Sequence, residues 1–219
     1  MEKELTFNNH KFEKAVRESL RIEDGPITTT LAKNTEFLCL LDCEISDSDF
    51  DTLYQFENLE GLIIGETRGT FDLCRLTSFK KLEYLSIHGG EYSVMDILNV
   101  SALQELRLLK KLEFVGFRNV DLNGIEKLQQ LEELEILWGI TLENADLIGT
   151  LKNLNNLFLC DIQVSRLDFI THLNKDAEIC LGDVIVDQPF DMKKLDSFTN
   201  FECDCCQING GLLSKLQNN

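Results

Sequence analysis

The sequence is poor in positive charge. It has 21 lysines and arginines against 38 aspartates and glutamates, which gives a formal net charge of −17 at pH 7. Contacts to phosphate groups need lysine and arginine, so we expect neither nucleic acid nor a membrane as a partner. The charge favours a basic protein as the partner, although a net charge of this size also serves solubility alone.

The sequence also lacks a long apolar run. No window approaches about 18 uncharged apolar residues, and the first residues, Met1-Glu-Lys-Glu-Leu-Thr-Phe, have no apolar segment of the signal-peptide type. Eight cysteines in a chain without an export signal are typical of free thiols rather than disulfides. We therefore expect a cytoplasmic protein with reduced cysteines.

Residues suited to catalysis are scarce. The three histidines are His10, His88 and His172, and no serine or cysteine lies at a spacing from His88 that implies a catalytic triad. The sequence has no glycine-rich loop of the phosphate-binding type. We expect no catalytic residues, so the protein is predicted not to be an enzyme.

Two short motifs resemble metal sites but lack essential ligands. Asp47-Ser-Asp49-Phe-Asp51 begins like a calcium loop, yet Thr52 replaces the required glycine and Asn58 the bidentate glutamate. Asp47 or Asp49 is instead predicted to cap the following turn. The run Cys203-Asp-Cys-Cys206 belongs to no four-ligand set, so small core residues are favoured over a zinc site. We expect no metal and no cofactor.

Leucine recurs in a regular pattern. The segment Leu131-Glu-Glu-Leu134-Glu-Ile136 is one copy of the unit L-x-x-L-x-L, and earlier copies begin at Leu59 and Leu82. The pattern resembles the strand segment of a leucine-rich repeat. With a period near 22 to 23 residues, the inward-pointing residue that opens each strand is predicted at Leu38, Leu62, Leu85, Val115, Leu134, Leu157, Ile179 and Phe201.

This repeat predicts the architecture. We expect an α/β fold: a right-handed leucine-rich repeat solenoid of about eight coils with a parallel sheet on its concave side. An amphipathic helix with Phe12, Val16 and Leu20 on one face, capped by Asn8 or Asn9, is predicted to close the first coil. The predicted boundaries are an N-terminal helical cap at 1–34, repeats at 35–209 and a C-terminal cap at 210–219. A longer helix is predicted at 101–112, where leucines occur at helical spacing.

The beginning of the chain resembles the entry to bacterial internalin-type leucine-rich repeat domains. The resemblance lies in Phe12-x-x-x-Val16-x-x-x-Leu20, Ile27-Thr, Leu31-Ala, Ile45-Ser-Asp and Asn58-Leu-Glu-Gly-Leu62. It implies a bacterial scaffold of the 22-residue repeat class that binds proteins. Such domains usually place asparagine where this chain has Thr67, Gly90, Val120, Ile162 and Val184, so we expect no buried amide ladder and less regular turns.

The candidate site follows from the alternation of faces along each strand. If the repeat leucines point inward, their neighbours form an acidic concave face with an aromatic streak, in which Tyr84, Phe114, Glu133 and Phe158 share a register. The predicted protein-binding anchors are Tyr84, Phe114, Trp138 and Phe158, and the carboxylates expected to attract a basic ligand are Glu113, Glu133, Glu135 and Asp161. The alternative is that a loop covers some of the rings or that they pack on one another. Cys39, Cys160 and Cys180 are expected on the same face, accessible to modification.

Together these features predict a non-enzymatic module that binds a basic protein through its concave face. One more specific hypothesis is an immunity or inhibitor protein that neutralises a basic toxin or a nucleic-acid-binding protein. A structural adaptor without an inhibitory role is the alternative. Steep dependence of the association rate on salt would favour the charged inhibitor over an apolar adaptor.

Overall fold

The computed structural model describes residues 3–90, 95–208 and 211–215. Its α-helices are α1 (His10–Leu20), α2 (Thr29–Lys33) and α3 (Asp47–Leu53). Its strands are β1 (Phe37–Leu40), β2 (Gly61–Thr67), β3 (Gly69–Asp72), β4 (Tyr84–Gly89), β5 (Met95–Leu98), β6 (Lys111–Asp121), β7 (Glu133–Glu143), β8 (Asn156–Cys160), β9 (Gln163–Val164), β10 (Glu178–Gly182), β11 (Ile185–Val186), β12 (Asn200–Ile208) and β13 (Gly211–Lys215). Short 3₁₀ helices lie at Leu73–Leu76, Val100–Glu105, Ile125–Lys127, Ala145–Thr150, Asp168–His172 and Met192–Leu195.

One parallel ladder organises the molecule. Its strands follow each other in chain order as β1, β2, β4, β6, β7, β8, β10 and β12. Because successive repeat units pair in the same register, the residues that open each unit stack as an inward-pointing row. The row consists of Leu38, Leu62, Leu85, Leu112, Leu134, Leu157, Ile179 and Phe201, all of them buried.

The predicted register of β6 is wrong by three residues. Leu112, not Val115, opens this unit, and Phe114 aligns with Ile87 and Ile136 in the buried row that follows. Phe114 has no exposed surface and is therefore a core residue, not a surface anchor. The error arose because Leu112-Glu-Phe114-Val115-Gly-Phe117 offers apolar residues in both phases of the alternation, so the local pattern does not select one.

A second row of parallel strands replaces the missing amide ladder. It consists of β3, β5, the ends of β6 and β7, β9, β11 and the end of β12. Backbone bonds between neighbours satisfy the turn groups, as when Ile185 N donates to Ile162 O at 2.9 Å and Gln207 N donates to Val184 O at 2.8 Å. The asparagine position of the fourth unit is Phe117 rather than Val120, since the register is shifted. Many turns are thus extended into regular sheet instead of being less regular.

Helix α1 covers the open edge of β1. Asn9 caps it, as predicted, by accepting hydrogen bonds from Lys11 N at 3.0 Å and Phe12 N at 3.2 Å. Phe12 and Val16 are fully buried, and Ser19 Oγ accepts a hydrogen bond from Cys39 N in β1 at 2.9 Å. Helix α1 thus covers part of the edge of β1, whose backbone groups could otherwise pair with a strand of another molecule.

Ser46 is the N-cap of helix α3, not Asp47 or Asp49 as predicted, and Asp49 completes the capping box from the third helical position. Its carboxylate accepts hydrogen bonds from Ser46 N at 2.8 Å and from Asn9 Nδ2 at 2.9 Å. Asp47 makes a different contact, an ion pair with Arg75 at 2.6 Å. The acidic run thus starts a helix and links it to the N-terminal segment.

The longer helix predicted at 101–112 is wrong. The structure has only the 3₁₀ helix Val100–Glu105, followed by a turn. Val100, Leu103, Leu106, Leu109 and Leu112 recur every third residue and all are buried, a period that suits 3₁₀ turns better than the 3.6 of an α-helix. At the other end, β13 pairs antiparallel with β12. The rest of the C-terminal cap predicted at 210–219 lies outside the described residues.

Candidate functional site

The outward-pointing residues of the main ladder form one surface, which we call the strand face. Its first row, just before the buried opening positions, holds Phe37, Gly61, Tyr84, Lys111, Glu133, Asn156, Glu178 and Asn200. Its middle row holds Cys39, Ile63, Ser86, Glu113, Glu135, Phe158, Cys180 and Glu202. Tyr84 and Glu133 share the first row, whereas Phe158 lies in the middle row. The predicted single row through Tyr84, Phe114, Glu133 and Phe158 is therefore wrong.

Two aromatic rings pack on each other at the N-terminal end of the strand face. The Phe37 and Tyr84 rings lie with centroids 6.4 Å apart and planes inclined by 17°. Gly61 separates them in register, and a Cβ atom at Gly61 would overlap the Phe37 ring. The glycine therefore gives the ring room to lie across the strand. Tyr84 fulfils the alternative in which predicted anchor rings pack on one another.

Lys111 lies at the centre of the strand face. Its Nζ contacts Glu133 Oε1 and Glu135 Oε1, both at 2.5 Å, and lies 5.5 Å from the centroid of the Tyr84 ring. Two of the predicted acidic contacts thus already bind the protein's own lysine, which offsets one of their two charges. The sequence prediction missed Lys111 because the shifted register of β6 left it out of the strand face.

This charge cluster shifts the pKa values of its members. Burial lowers the pKa of Lys111, but the hydrogen bonds and charges of Glu133 and Glu135 outweigh it, and the net shift is upward. Burial raises the pKa of Glu135, whereas at Glu133 the hydrogen bond from Lys111 overcomes burial and the pKa is lowered. Lys111 lowers the pKa of both carboxyl groups; the two differ because the interaction between Glu133 and Glu135 lowers the pKa of Glu133 and raises that of Glu135.

A polar cluster beside it links Tyr84, Ser86, His88 and Glu113. Tyr84 OH donates to Glu113 Oε2 at 3.0 Å, and burial followed by the charge of Glu113 raises the pKa of Tyr84 to about 12. Ser86 Oγ lies 2.7 Å from His88 Nε2, and Glu113 Oε1 lies 4.0 Å from the same nitrogen. In a catalytic triad the carboxylate would bind the other ring nitrogen. Ser86 also has no exposed surface, so the contact does not resemble a hydrolase site.

The C-terminal half of the strand face is acidic without this compensation. Phe158 and Cys180 are half-buried there and Glu178 and Glu202 are exposed, around a depression of about 420 Å³. In the described part of the chain no lysine or arginine forms an ion pair with Glu178, Glu202 or Asp161. This half therefore offers carboxylates that are free to meet an external positive charge.

Trp138 lies at the margin of the strand face, at the end of the first part of β7. It is 62% exposed, the highest exposed fraction among the large apolar residues whose side chains the structure describes, and Ile140, two residues on, is 55% exposed. Its backbone is left-handed, with φ of 54°. Asp161 is at the corresponding point after β8, also left-handed and exposed. The predicted anchor Trp138 is thus accessible.

The cysteines divide between core and surface as the repeat register predicts. Cys203 and Cys206 are buried, and Cys206 Sγ donates to Leu181 O at 3.5 Å. On the strand face, burial and then the charges of Asp183 and Asp161 raise the pKa of Cys160. Burial and the charge of Glu202 raise that of Cys180. Fewer thiolates at neutral pH make these two thiols slow to react.

Between residues 3 and 90, 95 and 208, and 211 and 215, no group of three or more histidine, cysteine, aspartate or glutamate side chains is arranged to hold a metal ion. Over the same ranges no helix combines the length and apolar character needed to span a bilayer.

Solved structures show what the fold is similar to. Internalin C2 from Listeria monocytogenes is 16% identical with a TM-score of 0.58, over 92% of this chain and 94% of that one. The functional domain of InlJ from the same species, which includes a cysteine ladder, is 17% identical with a TM-score of 0.55, over 92% and 47%. The Arabidopsis receptor kinase HAESA, solved with the peptide hormone IDA and the co-receptor SERK1, is 16% identical with a TM-score of 0.58, over 84% and 32%.

These likenesses establish a leucine-rich repeat fold of the internalin-like kind. Identities of this size carry the fold and not the activity. No model of a known protein family matches the sequence, and no curated protein matches it at a significant level.

Proposed function

We propose that this protein is a non-enzymatic interaction module whose strand face binds a basic protein. The observation that carries the proposal is the C-terminal half of that face, where Glu178, Glu202 and Asp161 are exposed and form no ion pair with a described lysine or arginine. A net charge of −17 adds a long-range attraction to a basic partner. The HAESA structure, which holds a peptide hormone, supports a protein or peptide ligand for this fold.

The proposed contact is displaced toward the C-terminal end relative to the sequence prediction. Glu133 and Glu135 bind Lys111, and Glu113 accepts a hydrogen bond from the hydroxyl group of Tyr84. A partner that approached these groups would have to replace contacts that already exist. Trp138, Phe158 and Asp161 keep exposed surface, so they remain as anchors with Glu178 and Glu202, whereas Phe114 is excluded by burial.

The proposal includes several expectations about the whole protein. The array is taken as a right-handed solenoid of about eight coils, the hand that parallel crossovers adopt almost always. We retain the predicted division into an N-terminal cap at 1–34, repeats at 35–209 and a C-terminal cap at 210–219. A cytoplasmic location is retained because the eight cysteines suit a reducing compartment.

A more specific form of the proposal is an inhibitor of a nucleic-acid-binding protein or basic toxin. The uncompensated carboxylates favour it, because a partner that normally faces phosphate presents a complementary basic surface. A structural adaptor held by apolar contacts would not need these charges. The two are separated by the effect of salt on the association rate, which falls steeply only when charge guides the encounter.

A capture experiment tests the proposal. Wild-type protein is immobilised and exposed to cell lysate at low and raised salt, beside a Glu178→Gln, Glu202→Gln variant. The matched control is Glu23→Gln, Asp24→Asn, which removes two exposed charges from the loop after α1. We expect one basic protein to be captured by wild type and control, weakly at raised salt, and to be lost from the strand-face variant. Equal capture by all three proteins would refute the assignment of the strand face.

A further inference from the structure

Left-handed residues recur at the same point after successive strands. Gly116, Trp138, Asp161, Asp183 and Cys205 all have φ between 49° and 69° and follow the ends of the inward repeats in β6, β7, β8, β10 and β12. Backbone bonds connect neighbours in this series: Gly139 N donates to Asp161 O at 3.0 Å and Asp161 N to Gly182 O at 2.8 Å. The last five units of the ladder thus share this conformation, whichever residue occupies the position.

Trp138 is the unfavourable choice among these residues. Glycine adopts the left-handed region without strain, and aspartate and asparagine adopt it more readily than bulky residues do. A tryptophan there costs backbone energy, and its ring is 62% exposed, so much of the apolar surface is left in water. Neither packing nor backbone conformation accounts for the residue. A strained residue with a large exposed ring points to a role in binding.

Two carboxylates follow Trp138 along the same series. Asp161 is one strand further on and Asp183 two, so neighbouring positions are about 4.8 Å apart. Both side chains are exposed, and within the described ranges neither forms an ion pair with lysine or arginine. Cys160 and Gly182 are paired in register, so Asp161 and Asp183, the next residues, lie at matching points of neighbouring strands.

We propose that Trp138, Asp161 and Asp183 form a binding site for an arginine side chain of the partner. A guanidinium group is planar and weakly hydrated, so it can stack on the exposed indole while its N–H groups bond to the carboxylates. A lysine ammonium is a compact point charge and matches the flat ring less well. The inference rests on the proposed function and adds the chemical group that the margin of the strand face recognises.

Trp138 is the only tryptophan in the chain, so its fluorescence reports on this site alone. The probes are blocked tetra-arginine and tetra-lysine peptides, titrated into the full chain at low salt. We expect tetra-arginine to quench the fluorescence and to bind about threefold or more tightly than tetra-lysine. In the double variant Asp161→Asn with Asp183→Asn, binding of tetra-arginine should weaken about fivefold or more. Asparagine tolerates the left-handed backbone, so this variant changes charge without adding backbone strain. The control Glu23→Gln, Asp24→Asn removes the same charge elsewhere and should bind like wild type.

Equal affinity for the two peptides, or unchanged affinity in the Asp161→Asn, Asp183→Asn variant, would overturn the arginine site. Quenching that the Glu178→Gln, Glu202→Gln variant loses and the Asp161→Asn, Asp183→Asn variant keeps would also overturn it, while leaving the proposed function in place. A second readout is stability. Trp138→Asn is expected to raise the melting temperature, since the substitution relieves the backbone. A lower melting temperature would show that the ring is needed for folding, and the inference would fail.

Discussion

Lys111 decides how the charge on the strand face is distributed. It bonds to Glu133 and Glu135 and lies over the ring of Tyr84, so one cation contacts three side chains. The side chains of Lys111, Glu133 and Glu135 are less than one third exposed. Ion pairs in such an environment are screened less by solvent than those at the open surface.

Lys111→Met is therefore expected to destabilise the protein by about 1 kcal/mol or more, because two half-buried carboxylates lose their charged partner. Denaturant unfolding at neutral pH measures the loss. The control is Lys110→Met, next in the chain, whose ion pair with Glu83 at 2.6 Å is about half exposed and should contribute little. An equal loss in the two variants would contradict the special position of Lys111.

His88 makes stability depend on pH. Burial lowers its pKa below the ordinary value of 6.5, although Glu113 acts in the opposite direction. The unfolded chain then binds a proton more readily than the folded one, so stability present above pH 6.5 is lost as the pH falls through that value. We expect His88→Gln to lose less stability than wild type between neutral and mildly acidic pH. The control is His10→Gln at an exposed position, which should leave the dependence of stability on pH as in wild type. The same dependence in His88→Gln would contradict the prediction.

At the scale of the element, β6 and β7 fit together through one ring and one glycine. Phe117 is paired with Gly139 and is 1% exposed, and a Cβ atom at Gly139 would collide with its ring. These two residues stand at consecutive asparagine positions of the repeat. A large and a small side chain thus share the space between these two strands.

Gly139→Ala is expected to destabilise the protein by about 1 to 3 kcal/mol, as overpacked cores do. Phe117→Leu should also destabilise it, by removing buried surface. Combined, the two changes should cost less than the sum of their separate effects, because the smaller ring makes room for the methyl group. Additive losses in a double-mutant cycle, measured by denaturant unfolding, would show that the residues do not share the space.

For the whole molecule, the repeat was readable from the sequence because its period is long and its leucines are regular. Apart from β6, the inward rows followed from leucine spacing, and the cap at Asn9 followed from side-chain type. The internalin-like fold agrees with the solved structures that resemble it. What could not be predicted were features set by contacts between coils.

The register of β6 is the clearest such feature. Its apolar residues fit both phases, and only pairing with β4 and β7 selects the phase that buries Phe114 and places Lys111 on the strand face. The second strand row was also hidden, because backbone bonds between coils leave no side-chain signature. Within the candidate site, the sequence predicted the acidic character and the role of Trp138. It did not predict that Lys111 forms ion pairs in one half of the strand face only, because that depends on which lysine reaches which carboxylate.

The central claim is that uncompensated carboxylates on the C-terminal half of the strand face attract a basic protein. The most direct measurement is the association rate of the captured partner as a function of salt. It compares three proteins: wild type, the strand-face double variant (Glu178→Gln with Glu202→Gln) and the control double variant (Glu23→Gln with Asp24→Asn). We predict a steep fall with salt for wild type and the control, and a lower rate with a shallower fall for the strand-face variant. The same rate and slope in all three proteins would contradict the claim.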